Sequence, residues 1–305
     1  MKGVLVLDAG DLLFRKSPTT FQQNELEMAK EKAQLIIKSF NLMGYDALGI
    51  GDGDLDLGKE FLLVISKKAN FPFLSSNLID EESGKNLFTP YALKEVNGLR
   101  IGIFSLLSPD SFLGQGDPRR RGLLLKPPAE TAADMVRELQ PKTDLIILLS
   151  HLGYNKDVEL VQTMKGIHLI VGSHTGINFH NPHLTNNTII LQTASKGMYA
   201  GRLNLTLYNY EQAFYDKKVR QSLEQNLKNM NLRLSEGKIP EAEKPQWLKI
   251  KEGVERNLKQ IDGKNEFTNT IVPLADQIKD HPEIRKMVEA YRSKFPEPGK
   301  SQPSE

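Results

Sequence analysis

The stretch TDLIILLSHLG, residues 143–153, is an unbroken apolar run that ends in a polar group, His151. Such a run is typical of a strand buried on both faces, as in a parallel sheet covered by helices. The same order of apolar strand and polar loop occurs at residues 4–11 and 166–176. Segments with helical periodicity, the longest at residues 22–43, alternate with the strands. The sequence therefore predicts a layered α/β domain.

The composition excludes several classes of protein and site. The chain has 305 residues and a formal charge of +2, which gives no reason to expect nucleic acid as a partner. It contains no cysteine, so disulfides, thiol nucleophiles and cysteine-bound zinc are excluded. No apolar run approaches the roughly 18 residues of a transmembrane helix, so we expect no membrane span. We recognise no signal peptide among the printed residues.

Residues 211–265 differ from the rest because they are rich in Lys, Glu, Gln and Asn, with sparse apolar positions. Two narrow apolar seams at helical spacing predict an antiparallel helical hairpin inserted near the C-terminus. The hairpin has two interpretations, a structural insertion or an arm that docks a protein partner. The seams comprise Val219, Leu223, Leu227, Met230 and Leu234, and then Trp247, Ile250, Val254, Leu258 and Ile261.

These patterns divide the chain into three parts. We predict a main domain formed by residues 1–210 and 266–295 and interrupted by the hairpin at residues 211–265. Residues 296–305 are rich in Pro, Ser and Gly, and we predict that this tail is disordered.

Four predicted strands end in side chains that bind metals: Asp11, Asp52, His151 and His174. Each has an ordinary interpretation, as a helix cap or as a hydrogen-bonded loop histidine. In layered α/β folds, however, ligands bind at the carboxyl ends of strands, where several loops meet. Two carboxylates and two imidazoles suit Zn²⁺, Mn²⁺ or Fe²⁺. The coincidence predicts a shared divalent-metal site.

The stretch GDGDLDLG, residues 51–58, adds further carboxylates to this region. We expect its glycines to let the backbone turn sharply beneath Asp52. Asp54 and Asp56 are interpreted as caps of a helix that begins near Leu57, with contact to a metal or substrate as the alternative.

Other polar residues also have competing interpretations. The basic run Arg119–Arg121 is either a solvated loop or an anion-binding segment. His180 and His183 are either surface loop residues or a substitute metal ligand. His168 falls within an apolar stretch and is expected in the core.

Six segments together resemble the calcineurin-like metallophosphoesterases, specifically the 5′-nucleotidase branch. The resemblance covers roughly residues 3–208 and implies a four-layer αββα sandwich with two metals that activate water for hydrolysis of a phosphate ester. In chain order the segments are VLVLDAGDLL, NLMGYDALGIGDGDLDLG, FPFLSSNLI, VNGLRIGIFSLL, DLIILLSHLG and GIHLIVGSHTG.

The resemblance assigns metal-binding roles to the strand-end residues. Asp11 matches the carboxylate that bridges both metals. His151 and His174 match ligands of the second metal. Asp52 stands where the family has a ligating Asn, and it remains able to ligate. Asn77 matches a position near the family's pocket and is expected to contact substrate phosphate.

The same resemblance reveals losses. Gly53 stands in the place of the catalytic His, so no catalytic residue is identified, and Gly176 stands in the place of a first-metal ligand. The family's opening Asp-X-His motif is expected upstream of the printed residues. The resemblance therefore implies a reduced site with one metal.

Two functions are consistent with this pattern. One is a metal-dependent phosphoesterase, a hydrolase acting on a phosphorylated small molecule such as a nucleotide. The other is a catalytically inactive homologue that binds a metal or a partner. Family resemblance also implies a periplasmic or otherwise exported protein.

Overall fold

The computed structural model describes residues 3–14, 23–194 and 196–296. Within these residues strands and helices alternate, as the α/β prediction requires. The strands are β1 (Leu7–Asp8), β2 (Ala47–Gly49), β3 (Phe73–Leu74), β4 (Leu78–Asp80), β5 (Tyr91–Val96), β6 (Leu99–Leu107), β7 (Leu123–Leu125), β8 (Leu145–His151), β9 (Leu169–Gly172), β10 (His183–Thr185), β11 (Thr188–Leu191), β12 (Tyr199–Thr206), β13 (Phe214–Asp216) and β14 (Asn265–Pro273). The helices are α1 (Gln23–Met43), α2 (Gly58–Ser66), α3 (Pro128–Leu139), α4 (Tyr154–Thr163), α5 (Lys217–Ser235), α6 (Lys244–Ile261) and α7 (Pro282–Lys294).

The largest sheet has six strands in the order β10-β11-β9-β8-β6-β5. Its four inner strands are parallel, and β8 is buried along its whole length, which explains the uninterrupted apolar run in its sequence. The edge strand β5 joins β6 through a hairpin turn at Asn97 and Gly98. Both turn residues have positive φ, 53° and 80°, as this tight turn demands. An Asn-Gly pair between two strands is the typical sequence of such a β-hairpin.

A smaller parallel sheet, in the order β1-β2-β3, packs against the large one. One apolar cluster lies between the two sheets and includes Ala9, Ala47 and Leu74 from the small sheet and Ile103 and Ile147 from the large one. A second cluster joins the small sheet to α1 and α2, and a third joins the large sheet to α3 and α4. The layers therefore run helix, sheet, sheet, helix, which confirms the αββα prediction.

A three-stranded sheet, β12-β14-β13, completes the fold. The helices α5 and α6 contact each other and connect β13 to β14, two parallel neighbours. The guanidinium of Arg233 lies 5.7 Å from the Trp247 ring between the two helices. Because β13 pairs within the sheet, residues 214–216 are part of the sheet although they fall inside the predicted insertion. The division at residues 211–265 stays a proposal, and the tail beyond residue 296 lies outside the described residues.

The last helix, α7, packs on the first one, where the Tyr291 hydroxyl donates to the Met28 carbonyl oxygen at 3.2 Å. Among the described residues, no helix combines the length and the apolar character needed to cross a membrane.

Candidate metal centre

Three side chains converge where β2, β8 and β9 end. Asp52 Oδ1 lies 3.1 Å from His151 Nε2 and 3.6 Å from His174 Nδ1. One ligand atom from each of Asp52, His151 and His174 lies within 4.8 Å of the others. Asp52 and His151 are fully buried, and His174 is partly exposed. The geometry is that of a compact site with one oxygen and two nitrogen donors.

The strand order explains why residues so distant in sequence meet. His151 is the last residue of β8, and His174 follows β9, which is the parallel neighbour of β8. Asp52 follows β2, which lies in the facing sheet. Parallel strands end at the same edge, so their following loops share one side of the sandwich.

His174 and Asp11 have left-handed backbones, with φ of 72° and 60°. This region is unfavourable for residues other than glycine, and such outliers concentrate at functional sites.

His151 is oriented by groups behind it. Its Nδ1 lies 3.2 Å from the Ala9 carbonyl oxygen and 2.7 Å from Ser173 Oγ. Because a carbonyl only accepts, Nδ1 carries a proton, and Nε2, which pairs with Asp52 at 3.1 Å, is the ring nitrogen that a cation would use. A carbonyl behind the distal nitrogen is the usual support of a metal-binding histidine.

The charges of the site reinforce each other. Burial alone raises the pKa of Asp52, but the hydrogen bond from His151, the nearby imidazole of His174 and the charges of His151 and Arg119 outweigh it. The pKa of Asp52 is therefore held well below its usual range. Burial alone lowers the pKa of His151, but Asp52 and Asp11 outweigh it and raise that pKa. Asp52 is therefore a carboxylate, ready to bind a cation.

Asp11 lies beside this group rather than within it. Its Oδ2 is 3.4 Å from His151 Nε2, while its Oδ1 accepts the backbone N–H of Gly53 at 2.7 Å. The side chain of Asp11 is 28% exposed, so it is accessible from outside. Asp11 is thus a neighbour of His151 at the mouth of the site.

Gly51 and Gly53 are required by the close approach of Asp11. A Cβ at residue 51 would lie 2.4 Å from Asp11 Oδ1, and one at residue 53 would lie 2.9 Å from it. The backbone turns beneath Asp52 in a short 3₁₀ helix, Gly53–Leu55, but neither Gly51 nor Gly53 has a positive φ, so the turn does not depend on the conformational freedom of glycine. The missing side chains make room for a carboxylate instead.

Asp54 holds two loops together. Its Oδ1 accepts the backbone N–H groups of Leu12 and Leu13, and its Oδ2 accepts those of Asp11 and Gly51, each at 2.9 Å. The prediction that Asp54 caps the following helix is wrong, since α2 has no side-chain cap. Asp54 fixes the backbone on which Asp11 is carried.

Arg119 is part of the site, although no pattern in the sequence indicated that it pairs with Asp52. Its Nη1 donates to Asp52 Oδ2 at 2.5 Å, and its Nε and Nη2 donate to Asp117 at 3.0 and 2.6 Å. Asp56 lies 4.0 Å away. Neither interpretation of the basic run, solvated loop or anion-binding segment, describes Arg119, because its donors are directed at carboxylates. Asp56 likewise faces Arg119. Arg121 is exposed.

Asn77 is fully buried and bonded to the backbone. Its Nδ2 donates to the carbonyl oxygens of Leu107 and Lys126 at 2.8 and 3.2 Å, and its Oδ1 accepts from the Leu107 N–H at 2.9 Å. The amide thereby joins the end of β6 to the loop after β7. Contact with a phosphate would require these bonds to break.

The remaining histidines lie in other surroundings. His183 belongs to β10, where its Nδ1 pairs with the Tyr154 hydroxyl and its ring packs 4.6 Å from Phe179. His168 accepts the Ile146 N–H through Nδ1 at 3.0 Å, and burial lowers its pKa to about 4. It is half-buried beside Phe214, in keeping with the expected core position.

The donor set fits a divalent cation. His174 Nδ1 is shielded from solvent and makes no hydrogen bond with any residue that the structure describes, although it faces Asp52 Oδ1. A buried polar atom without a partner is costly, and a cation between these atoms would remove that cost. Two imidazoles and a carboxylate suit Zn²⁺, Mn²⁺ or Fe²⁺.

Known proteins that are similar to the chain include nucleotide phosphoesterases. No protein-family model matches it. The 5′-nucleotidase of Vibrio cholerae is 28% identical over 71% of this chain and 45% of its own length. The trifunctional nucleotide phosphoesterase YfkN of Bacillus subtilis is 28% identical over 73% of this chain and 17% of its own length. The chain is a homologue of these nucleotide phosphoesterases. It spans less than half of either relative.

Solved structures agree on the fold. The 5′-nucleotidase precursor of Thermus thermophilus has a TM-score of 0.67 at 21% identity and covers 96% of this chain, which spans 50% of it. The calcineurin-like phosphoesterase YfkN of Bacillus subtilis has a TM-score of 0.63 at 18% identity, over 95% of this chain and 83% of its own. The chain therefore has the metallophosphoesterase sandwich fold.

Proposed function

We propose that this chain is a metal-dependent phosphoesterase that hydrolyses a phosphate ester with water at a single-cation site. Asp52, His151 and His174 hold the cation, and Asp11 lies beside them. The observation that carries the proposal is the buried Nδ1 of His174, which has no hydrogen bond within the described residues and faces a carboxylate and a second imidazole. The nucleotide phosphoesterase homologues supply the reaction class.

The residues of the chain have separate roles in this proposal. A bound divalent cation supplies Lewis-acid chemistry, polarising a phosphoryl oxygen and activating water. The Ala9 carbonyl and Ser173 hold the His151 ring so that Nε2 faces the site. Asp11, the most exposed of the four, is placed to accept a proton from the attacking water. Phosphorylated small molecules, including nucleotides, are the proposed substrates.

A catalytically inactive, cation-binding homologue is the second candidate. It is favoured by residue 53, where the family resemblance leads us to expect a catalytic His but the structure has a glycine packed against Asp11. Loss of one general acid costs about 10²–10⁴-fold in rate. The two candidates share the cation site and differ in turnover.

Two measurements test the proposal and separate the candidates. Purified protein loaded with Mn²⁺ or Zn²⁺ should contain about one ion per chain, and the ion should be lost in His151→Ala. Loaded protein should hydrolyse a chromogenic phosphomonoester or phosphodiester, or a 5′-nucleotide, faster than His151→Ala does. The exposed His183→Ala is the matched control and should retain both properties. Ion binding without turnover would select the inactive homologue, and the absence of binding would refute both.

Two further proposals concern a protein partner and the location of the chain. The hairpin formed by α5 and α6 is proposed to bind a protein partner, since Val219, Leu232 and Ile250 on it are exposed. A periplasmic or otherwise exported location is proposed from the resemblance alone.

A further inference from the structure

We propose that Arg119 is a positioning residue that restricts Asp52 to binding a cation through one oxygen. The inference rests on the proposed function and extends it to the selectivity of the site. Asp52 is fully buried and divides its two oxygens between opposite neighbours. Oδ1 faces His151 and His174, and Oδ2 accepts from Arg119 Nη1 at 2.5 Å.

Arg119 is held in place independently of Asp52. Asp117 binds its Nε and Nη2 in a two-pronged ion pair at 3.0 and 2.6 Å, and Ser111 offers its carbonyl oxygen to Nη2 at 3.4 Å. The Phe112 ring lies 5.2 Å from the guanidinium carbon. The side chain of Arg119 is only 16% exposed. A guanidinium with this support is pre-organised, so it sets the orientation of Asp52.

The same contacts exclude a role for Arg119 in holding phosphate. Asp52 and Asp117 bind it directly, and Asp56 lies 4.0 Å from Nη1. An anion approaching this guanidinium would meet three carboxylates first. The positive charge of Arg119 acts on Asp52 and lowers the net negative charge that a cation meets.

Restricting Asp52 to one oxygen has a consequence for the choice of cation. Ca²⁺ takes six to eight oxygen ligands and commonly uses both oxygens of a carboxylate. Zn²⁺ is satisfied by four ligands, with nitrogen and single carboxylate oxygens among them. Two histidines and one carboxylate oxygen therefore favour Zn²⁺ and disfavour Ca²⁺. Arg119 thus contributes to selectivity without contacting the cation.

The test compares cation binding by calorimetry in the whole chain. Arg119→Met removes the charge and the donor while keeping a long side chain, and it frees Asp52 Oδ2. We expect Ca²⁺ to bind at least tenfold more tightly than in the unsubstituted protein, and the ratio of Zn²⁺ to Ca²⁺ affinity to fall. The exposed neighbour Arg121→Met is the matched control and should leave the ratio unchanged. General damage to the fold would weaken the binding of Zn²⁺ and Ca²⁺ together and leave their affinity ratio unchanged.

A second variant covers the case in which Arg119→Met does not fold. Asp117→Asn loosens Arg119 without touching Asp52, and it should shift the ratio in the same direction by a smaller factor, about threefold. A ratio that is unchanged in both variants overturns the inference while the proposed function stands. If only Arg119→Met binds cations, Arg119 blocks the site instead of orienting Asp52, and both the inference and the proposed function of the unsubstituted chain fail. If no protein binds any cation, both are refuted.

Discussion

The backbone N–H of Gly53 donates to Asp11 Oδ1 at 2.7 Å, and this contact leaves no room for a side chain at residue 53. Asp11 is held from both sides of its loop, since its own N–H donates to Asp54. The loops that follow β1 and β2 therefore form one unit. Substitutions in either loop should act on the other.

Gly53→Ala should destabilise the protein by about 1–3 kcal/mol, because the new Cβ would meet Asp11 Oδ1 at 2.9 Å and force it to move. Gly53→His should also fail to create a working catalytic group, for the same reason. Denaturant unfolding measures the first effect. Gly253→Ala, in helix α6 with nothing within 4 Å, should instead stabilise by about 0.5–1 kcal/mol. Equal effects at the two glycines would contradict the role assigned to Asp11.

Asn77→Ala should lower the free energy of unfolding by about 2–4 kcal/mol, since it leaves the Leu107 N–H and two carbonyl oxygens without their partner inside the core. Denaturant unfolding at constant pH is the measurement. If stability were retained and only the KM for a phosphate ester rose, the residue would serve substrate binding after all.

Asp157 should make stability depend on pH. It is buried, and burial raises its pKa from 3.8 to about 7, although the hydrogen bond from Ser150 opposes the rise. The folded state therefore binds its proton more tightly than the unfolded state does. The resulting stabilisation is complete below about pH 4 and is lost as the pH rises through 7, with an upper bound of roughly 4 kcal/mol.

The variant that isolates this effect is Asp157→Asn, which is neutral at every pH. Asp8 and Asp54 also have raised pKa values, about 6 and about 7, so the measured quantity is the difference between the two proteins. Between pH 4 and 8 the unfolding free energy of the unsubstituted protein should fall relative to that of the variant, because only the protein with Asp157 loses this stabilisation as the pH rises. Parallel curves would show that Asp157 is ionised throughout.

Cation binding should stabilise the folded chain. A free cation concentration one hundred times Kd adds about 2.7 kcal/mol to the free energy of unfolding and so raises Tm. A chelator should reverse this gain. His174→Ala should abolish the gain, because it removes one of the three donors that converge. His183→Ala, on the exposed strand β10, should keep it. A Tm rise that survives His174→Ala would place the cation elsewhere.

Local sequence patterns were enough to identify the buried strands and the residues at which they end. The apolar run of β8, the Asn97-Gly98 turn and the seams of the hairpin are local patterns, because side-chain periodicity is set within one segment. The family resemblance predicted the αββα sandwich, and local patterns identified the polar residues that follow the strands. The local predictions needed only short stretches of sequence, whereas the resemblance drew on six segments.

The hydrogen-bond and ion-pair partners of those polar residues depend on the packing of the two sheets. Arg119 reaches Asp52 across 67 residues of sequence, and Asp54 reaches Leu12 across 42. Nothing in the sequence around Arg119 distinguishes an arginine that pairs with a buried carboxylate from a solvated one. Likewise, nothing around Asp54 distinguishes a carboxylate that joins two loops from one that caps a helix. Such pairs exist only after two sheets have packed and brought their loops to one edge. Hydrogen bonds between residues so far apart in the sequence depend on the arrangement of whole strands, which no short stretch of sequence specifies.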